Sequence, residues 1–472
     1  MRRRQKRTRS DVSGDDDDEL RRTRSMPSAS AAETTHCSRR RLACRCLCAL
    51  LAALLFAAVF LGAVWLFIWL LRPPDGGRSD PNAVIVVAHS AQQRVLWKER
   101  VERVNNDSRL HWRATYNRWA AEFPNDDDVD DEAEDESSGT AGGGKPDESD
   151  LQTSLWEVEH LIRFVKATDE DARARWAALR DRPSPPSDFD ARRHWPLCWT
   201  THHIHDQASC GNCWAQAAAS AMSDRLCIAS NGTSDVQLSV EDLTTCCDGC
   251  VKPNRLGGCK GGWITGAALH WKTTGVVTGG DFGSNLGCKT FRYAPDCGRP
   301  CHYRNYMRPM FARRRCEPRC SGTAHDADYE LDRRRAKSAY YFPTPKWVNS
   351  TRWRDRSYDE SVTRLPALHE LIKKEIATSG PVALCFYAYD DFQLYESGVY
   401  RRAAFAQGLY GHCCRLLGWG VDGSSGAPYW LLANSWGRAW GENGFFRVHR
   451  SDTPNDDDII ENADEVVGFL PE

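Results

Sequence analysis

Hydrophobic and polar positions fall along this chain in blocks of distinct character. Residues 47–71, LCALLAALLFAAVFLGAVWLFIWLL, run 25 positions without a charge, enough to cross about 30 Å of hydrocarbon with some tilt. The run is far longer than the roughly 7–15-residue apolar core of a cleaved signal peptide; removal of a long signal sequence is the alternative reading. Trp65 and Trp69 stand toward its far end, where interfacial anchors sit. Arg39, Arg40, Arg41 and Arg45 precede it and Arg72 alone follows closely. That asymmetry predicts a single-pass type II topology, with residues 1–46 in the cytosol and the rest in a lumen or outside.

Beyond a Pro/Gly-rich stalk, Trp97, Val101, Val104, Trp112 and Trp119 recur at helical spacing and predict a helix within 91–122. Residues 125–150 form an acidic, Gly-rich linker without core-forming positions. Helical spacing returns over 151–180 and is broken by PSPPSD at 183–188. The alanine-rich stretch from Cys213 to Ile228 predicts another helix. After about residue 380 the pattern turns strand-like, in PVALCFYAY, CRLLGWGVD, PYWLLANSW and GFFRVHR. Helix first and strands later predict an α+β module with a helical lobe and a sheet or barrel-like lobe.

Composition divides the chain the same way. The formal net charge is only −2 over 472 residues, yet residues 1–46 carry 13 Lys/Arg against 7 Asp/Glu and few apolar side chains. They read as a basic, disordered tail. Of 20 cysteines, sixteen follow Trp195, which implies a disulfide framework made in an oxidising compartment. Asn106, Asn231 and Asn349 are glycosylation acceptors on the same side of the span. No nucleic-acid partner and no cofactor are expected.

The candidate chemistry centres on QASCGNCWAQ, residues 207–216. A zinc site would pair Cys210 and Cys213 with two of Cys246, Cys247, Cys250 and Cys259. A redox pair would need a strand–CxxC–helix unit in an alternating α/β pattern, which is missing here. A nucleophile needs its thiol, ordinarily titrating near about 8.5, lowered by a helix N-terminus and a nearby imidazolium. Cys213 opens the alanine-rich helix. His412 precedes one apolar strand and Asn434 ends another, so adjacent antiparallel strands would bring them together. The Asn434 amide then fixes the imidazole tautomer without neutralising its charge. Gln207 and the Cys213 backbone N–H are placed to receive an oxyanion.

Over about residues 185–472 these motifs, in this order, resemble the papain-family cysteine proteases of the cathepsin B-like type. PPSDFDARRHWPLC, DQASCGNCWAQ, GGCKGGW, GHCCRLLGWG and NSWGRAWGENGFF carry the likeness. The resemblance implies a papain-like two-lobe fold preceded by a helical propeptide (within 72–184), and the apolar run adds one transmembrane helix (47–71) before it. It implies Cys213 as nucleophile, His412 as general acid/base, Asn434 as its orienter and Gln207 as oxyanion donor. Trp436 would shield the His–Asn hydrogen bond. Gly261 and Gly262 would pair with substrate backbone, and Asp464 would set a subsite. The implied disulfides are Cys198–Cys227, Cys210–Cys259, Cys246–Cys316, Cys247–Cys250 and Cys288–Cys320. Cys385, Cys413 and Cys414 are left to pack as apolar groups or to pair among themselves. Peptide or protein substrates and the chain's own propeptide as inhibitor are the implied partners, along with the membrane through 47–71. The region from Cys297 lacks the adjacent histidines that such enzymes use as dipeptidyl carboxypeptidases, so endopeptidase action is expected. The rival expectation is a catalytically weak or inactive papain-like binding scaffold. A secretory or endolysosomal lumen, or the cell exterior, is the expected location of the module.

Overall fold

The computed structural model describes residues 95–117, 148–208, 210–251, 258–295, 316–321, 328–346, 364–451 and 458–472. All lie in one compact unit, residues 85–472. The expected span 47–71, the tail 1–46, most of the acidic linker, Asn349 and the Cys297–Cys301 region lie outside them. Among the described residues no helix is long and apolar enough to cross a membrane.

Helix α1 covers 95–106 and is followed by strand β1 (Trp112–Ala114). Helix α2 is Glu148–Arg180 and strand β2 is Phe189–Asp190. Helices α3 (Cys213–Ala229), α4 (Val240–Cys246) and α5 (Ile264–Thr273) build the helical side. Then come β3 (Ala336–Tyr341) and α6 (Leu365–Ser379). Strands β4 (Val382–Tyr389), β5 (Tyr395–Tyr400), β6 (Gly408–Val421), β7 (Pro428–Ala433), β8 (Phe445–His449) and β9 (Glu465–Pro471) complete the chain. The strands form one sheet ordered β1-β5-β8-β7-β6-β4-β9-β3, with β2 against β6. Every pairing is antiparallel except β5 with β8.

The sequence pattern explains most of this. The small side chains of α3 let it lie buried between α4, α5 and the sheet. Its polar residues are all engaged. Asp224 meets Arg415 of β6 at 2.7 Å, and Arg225 donates to the carbonyls of Gly380 and Pro381 and pairs with Glu375. These buried charges are compensated in pairs, and they tie the helical side to the sheet side. Gln216, a polar residue in an apolar helix, donates to Asn212 Oδ1 at 3.4 Å.

Two expectations are corrected. Of the helix expected within 91–122, the described residues 95–117 are helical only to residue 106, and Trp112 lies in a strand. Asp107 accepts from the backbone and side chain of Arg109, turning the chain. The free edge of β5 then takes up residues 112–114. The helix expected at 151–180 begins at Glu148, inside the expected linker. Trp176 and Phe164 bury against Tyr341, while Lys272–Asp171 and Arg175–Glu375 ion pairs fasten α2 to α5 and α6.

Candidate active site

Cys213 is the first residue of α3, half-buried and free of any disulfide. Against burial, which raises its pKa, the backbone N–H groups of Cys213, Trp214 and Cys413 favour its thiolate. The last of these is the residue after His412, so the β6 strand brings the histidine to the thiol. The N-terminal turn of α3 adds its unpaired N–H groups to the same locality.

His412 is buried in β6. Its Nε2 lies 2.8 Å from Asn434 Oδ1, because β6 and β7 run antiparallel and place the end of β7 beside it. An amide oxygen only accepts, so Nε2 carries the proton and Nδ1 is left as the base. Trp436, itself buried, lies 4.8 Å from the imidazole centroid at 31° and covers it. Phe386 and Phe392 pack on the ring as well. Asn434 Oδ1 also accepts the Ser435 N–H at 2.8 Å, which fixes the amide's orientation.

Gln207 is locked from three sides. Its N–H donates to Ser435 O at 2.8 Å, its Oε1 accepts from Ser435 Oγ at 2.7 Å, and its Nε2 donates to Cys210 O at 3.0 Å. One Nε2 hydrogen is committed, and the second is available to an oxyanion. Ser435 thus holds both Gln207 and Asn434, a role the sequence reading missed although it sits inside the NSW motif.

Burial pushes the Cys213 thiol up to about 11 and the His412 imidazole down to about 4. Each group alone resists ionisation here. Transfer of the thiol proton to Nδ1 makes two charges at once, and each then stabilises the other.

Gly261 has φ +92°, a conformation that favours glycine, and open space lies where a Cβ would project. Its N–H donates to Gly211 O at 3.1 Å. A Cβ on Gly262 would lie 2.6 Å from the Trp214 ring and 2.7 Å from Cys250 O. Gly262 is thus required by close packing on Trp214 and Cys250. Asp464 sits in the bend that leads into β9. Its half-exposed carboxylate meets Lys346 at 2.6 Å, and the adjacent Glu465 is the buried acid, accepting from the N–H groups of Ile264 and Thr265 at the head of α5. Glu465 opens β9 and is the acid that the strand turns inward.

All five expected disulfides are present. They occupy the cysteines that a zinc site would have needed, leaving Cys213 with no thiolate partner from Cys210. A sixth bridge joins Cys385 to Cys413, cross-strand partners on β4 and β6, and Cys414 remains a buried thiol. Asn106 and Asn231 are both exposed, as sugar attachment requires.

Residues 185–465 match the model of the papain family cysteine proteases. The chain is 37% identical over 311 residues to cathepsin B-like cysteine proteinase 5 of Caenorhabditis elegans, covering 66% of this chain and 81% of that protein. It is 38% identical over 266 residues to cathepsin B-like cysteine proteinase 1 of Ostertagia ostertagi, covering 56% and 68%. Among solved structures, procathepsin B S9 from Trypanosoma congolense aligns with 26% identity and a TM-score of 0.46, over 62% of this chain and 79% of that one. By its sequence match, the chain belongs to the papain family of cysteine proteases.

Proposed function

We propose that the protein is a cathepsin B-like cysteine endopeptidase made as a membrane-anchored zymogen. The observation that carries the catalytic part is the 2.8 Å His412 Nε2–Asn434 Oδ1 contact beside a free cysteine at a helix head. His412 Nδ1 takes the thiol proton, and the Cys213 thiolate attacks the peptide carbonyl carbon. The oxyanion lies between the Cys213 N–H and the second Nε2 hydrogen of Gln207. The imidazolium gives its proton to the leaving amine, and a thioacyl-enzyme remains. Neutral His412 then draws a proton from water, whose oxygen attacks the thioester and releases the acid and the thiol. Gly261 and Gly262 receive the substrate backbone.

The segment before residue 185 supports the zymogen reading. Residues 95–117 dock on 390–405. Trp97 and Val104 are buried, Trp112 Nε1 donates to Arg401 O at 2.9 Å, and Asn117 Nδ2 donates to Gln393 O at 2.7 Å. Arg100 pairs with Asp390, and the Arg103 guanidinium stacks 3.9 Å from the Phe405 ring centroid. Residues 47–71 are the anchor in this reading, and the module faces a secretory or endolysosomal lumen or the exterior.

Two internally quenched peptides test it, one amidated at its C-terminus and one free, incubated with protein cleaved before residue 185. Equal hydrolysis of both supports an endopeptidase. Hydrolysis of the free peptide alone favours the carboxypeptidase, and hydrolysis of neither favours the binding scaffold.

A further inference from the structure

We propose that His203, His205 and Asp281 form a binding site for a divalent transition metal of the zinc type, bracing the loop that carries Gln207. His203 Nε2 lies 2.7 Å from Asp281 Oδ2, and His205 Nδ1 lies 2.8 Å from Asp281 Oδ1. All three ligand atoms fall within 4.8 Å of one another. Bonds of about 2.0–2.2 Å in a tetrahedral shell need ligand atoms roughly 3.3 Å apart. A small rotation of the imidazoles therefore admits an ion.

The chain geometry brings these groups together without strain. His203 is extended, with φ −77° and ψ 137°, so residues 203 and 205 can present their side chains to one side, as alternate positions on extended backbone do. Asp281 comes from a turn 76 residues away. Its two carboxylate oxygens face the two imidazoles, one each. The nearby Arg415 cation is already paired with Asp224 at 2.7 Å.

A second observation separates this cluster from a simple ion pair. His203 Nε2 is buried and makes no aligned hydrogen bond despite its closeness to Asp281. A metal between nitrogen and carboxylate satisfies both. Asp281 is partly exposed, with 40% of its side-chain surface open, which leaves an entry path and room for a water as fourth ligand. Two imidazoles and one carboxylate select zinc-like ions over calcium or magnesium.

The site lies two residues before Gln207. The His205 carbonyl accepts the Gly437 N–H at 2.9 Å, and Asp206 bridges to Trp436. A metal held here cross-links the oxyanion loop to the 281 turn, and the same loop is already laced to the wall over His412.

The test titrates Zn2+ into the full chain by calorimetry, with Cys213→Ala in every sample so that the catalytic thiol takes no metal. Co2+ in place of Zn2+ gives a visible spectrum that distinguishes nitrogen and oxygen ligands from thiolate. The expected result is one equivalent of metal lost in the His203→Gln/His205→Gln double variant, together with loss of the thiolate-free Co2+ spectrum. Asp281→Asn, a smaller change that keeps an oxygen in place, is expected to weaken that equivalent at least tenfold. Unchanged stoichiometry and affinity in Asp281→Asn and, where it folds by circular dichroism, in the double variant would overturn the proposal, as would a parent chain whose bound Co2+ shows only thiolate ligation.

Discussion

Removing the Asn434 side chain isolates the least redundant contact of the site. In Asn434→Ala, the His412 Nε2–H and the Ser435 N–H both lose an acceptor that stands 2.8 Å from each. His412 is buried and covered by Trp436, so water cannot readily replace the amide. Leaving a buried donor unsatisfied costs about 1–3 kcal/mol. If the imidazole must recover that orientation to reach the transition state, the same energy appears in kcat/KM. At about 1.4 kcal/mol per tenfold, the loss is roughly 5- to 150-fold. The assay is kcat/KM on a peptide amide across pH, with thermal unfolding measured in parallel. Asn434→Asp separates orientation from charge. A carboxylate in the same place orients the ring and stabilises the imidazolium, so activity returns in part and the basic limb of the pH profile moves upward. Asn434→Ala activity within twofold of the parent, in a folded protein, would refute this account of how His412 is held.

Three further outcomes follow from the geometry. Gln207→Ala lowers kcat by about 10²-fold with little change in KM, since its free Nε2 hydrogen acts on the oxyanion alone; a change confined to KM in steady-state kinetics would contradict this. Burial lowers the His412 pKa from 6.5 to about 4, so between those values the unfolded chain binds the proton and the folded chain does not. Stability from this group is complete above pH 6.5 and falls by about 3 kcal/mol as pH drops through 4. Denaturant titrations at pH 7 and pH 4 should show that much less acid sensitivity in His412→Gln, and an equal slope would count against it. Replacing both Cys385 and Cys413 with alanine opens a loop of 28-residue separation and costs about 3–4 kcal/mol of stability. Because the Cys413 N–H also favours the Cys213 thiolate, kcat/KM should drop as well; chemical denaturation and kinetics together check both.

Local signals carried much of the site. Cys213 at a helix head and the His412 and Asn434 strand positions were readable because each element is specified by its own periodicity. Gln207 was readable because it lies in the same short segment as the nucleophile. The five disulfides came only through the family likeness, as spacing does not determine connectivity. What escaped the sequence depends on register or on distant chain. Cys385 pairs with Cys413 because the register of β4 and β6 sets those two cysteines opposite each other and Cys414 opposite Leu384. The β1 strand exists because β5 offers a free edge, which overrides helical spacing around Trp112. Asp464 stays exposed in the bend before β9, whereas Glu465 opens the strand and is buried. His203, His205 and Asp281 meet across 76 residues, and no local pattern announces them.

The central claim is that Cys213 is an armed nucleophile. The most direct measurement is labelling of the module, cleaved before residue 185, with an epoxide probe directed at papain-like enzymes, followed by mapping of the modified peptide. Cys213 and Cys414 are both free thiols, so the site of labelling matters. The account predicts modification at Cys213 alone, abolished in Cys213→Ala and sharply slowed in His412→Ala. No labelling of correctly cleaved, folded protein, or labelling indifferent to His412, would contradict it.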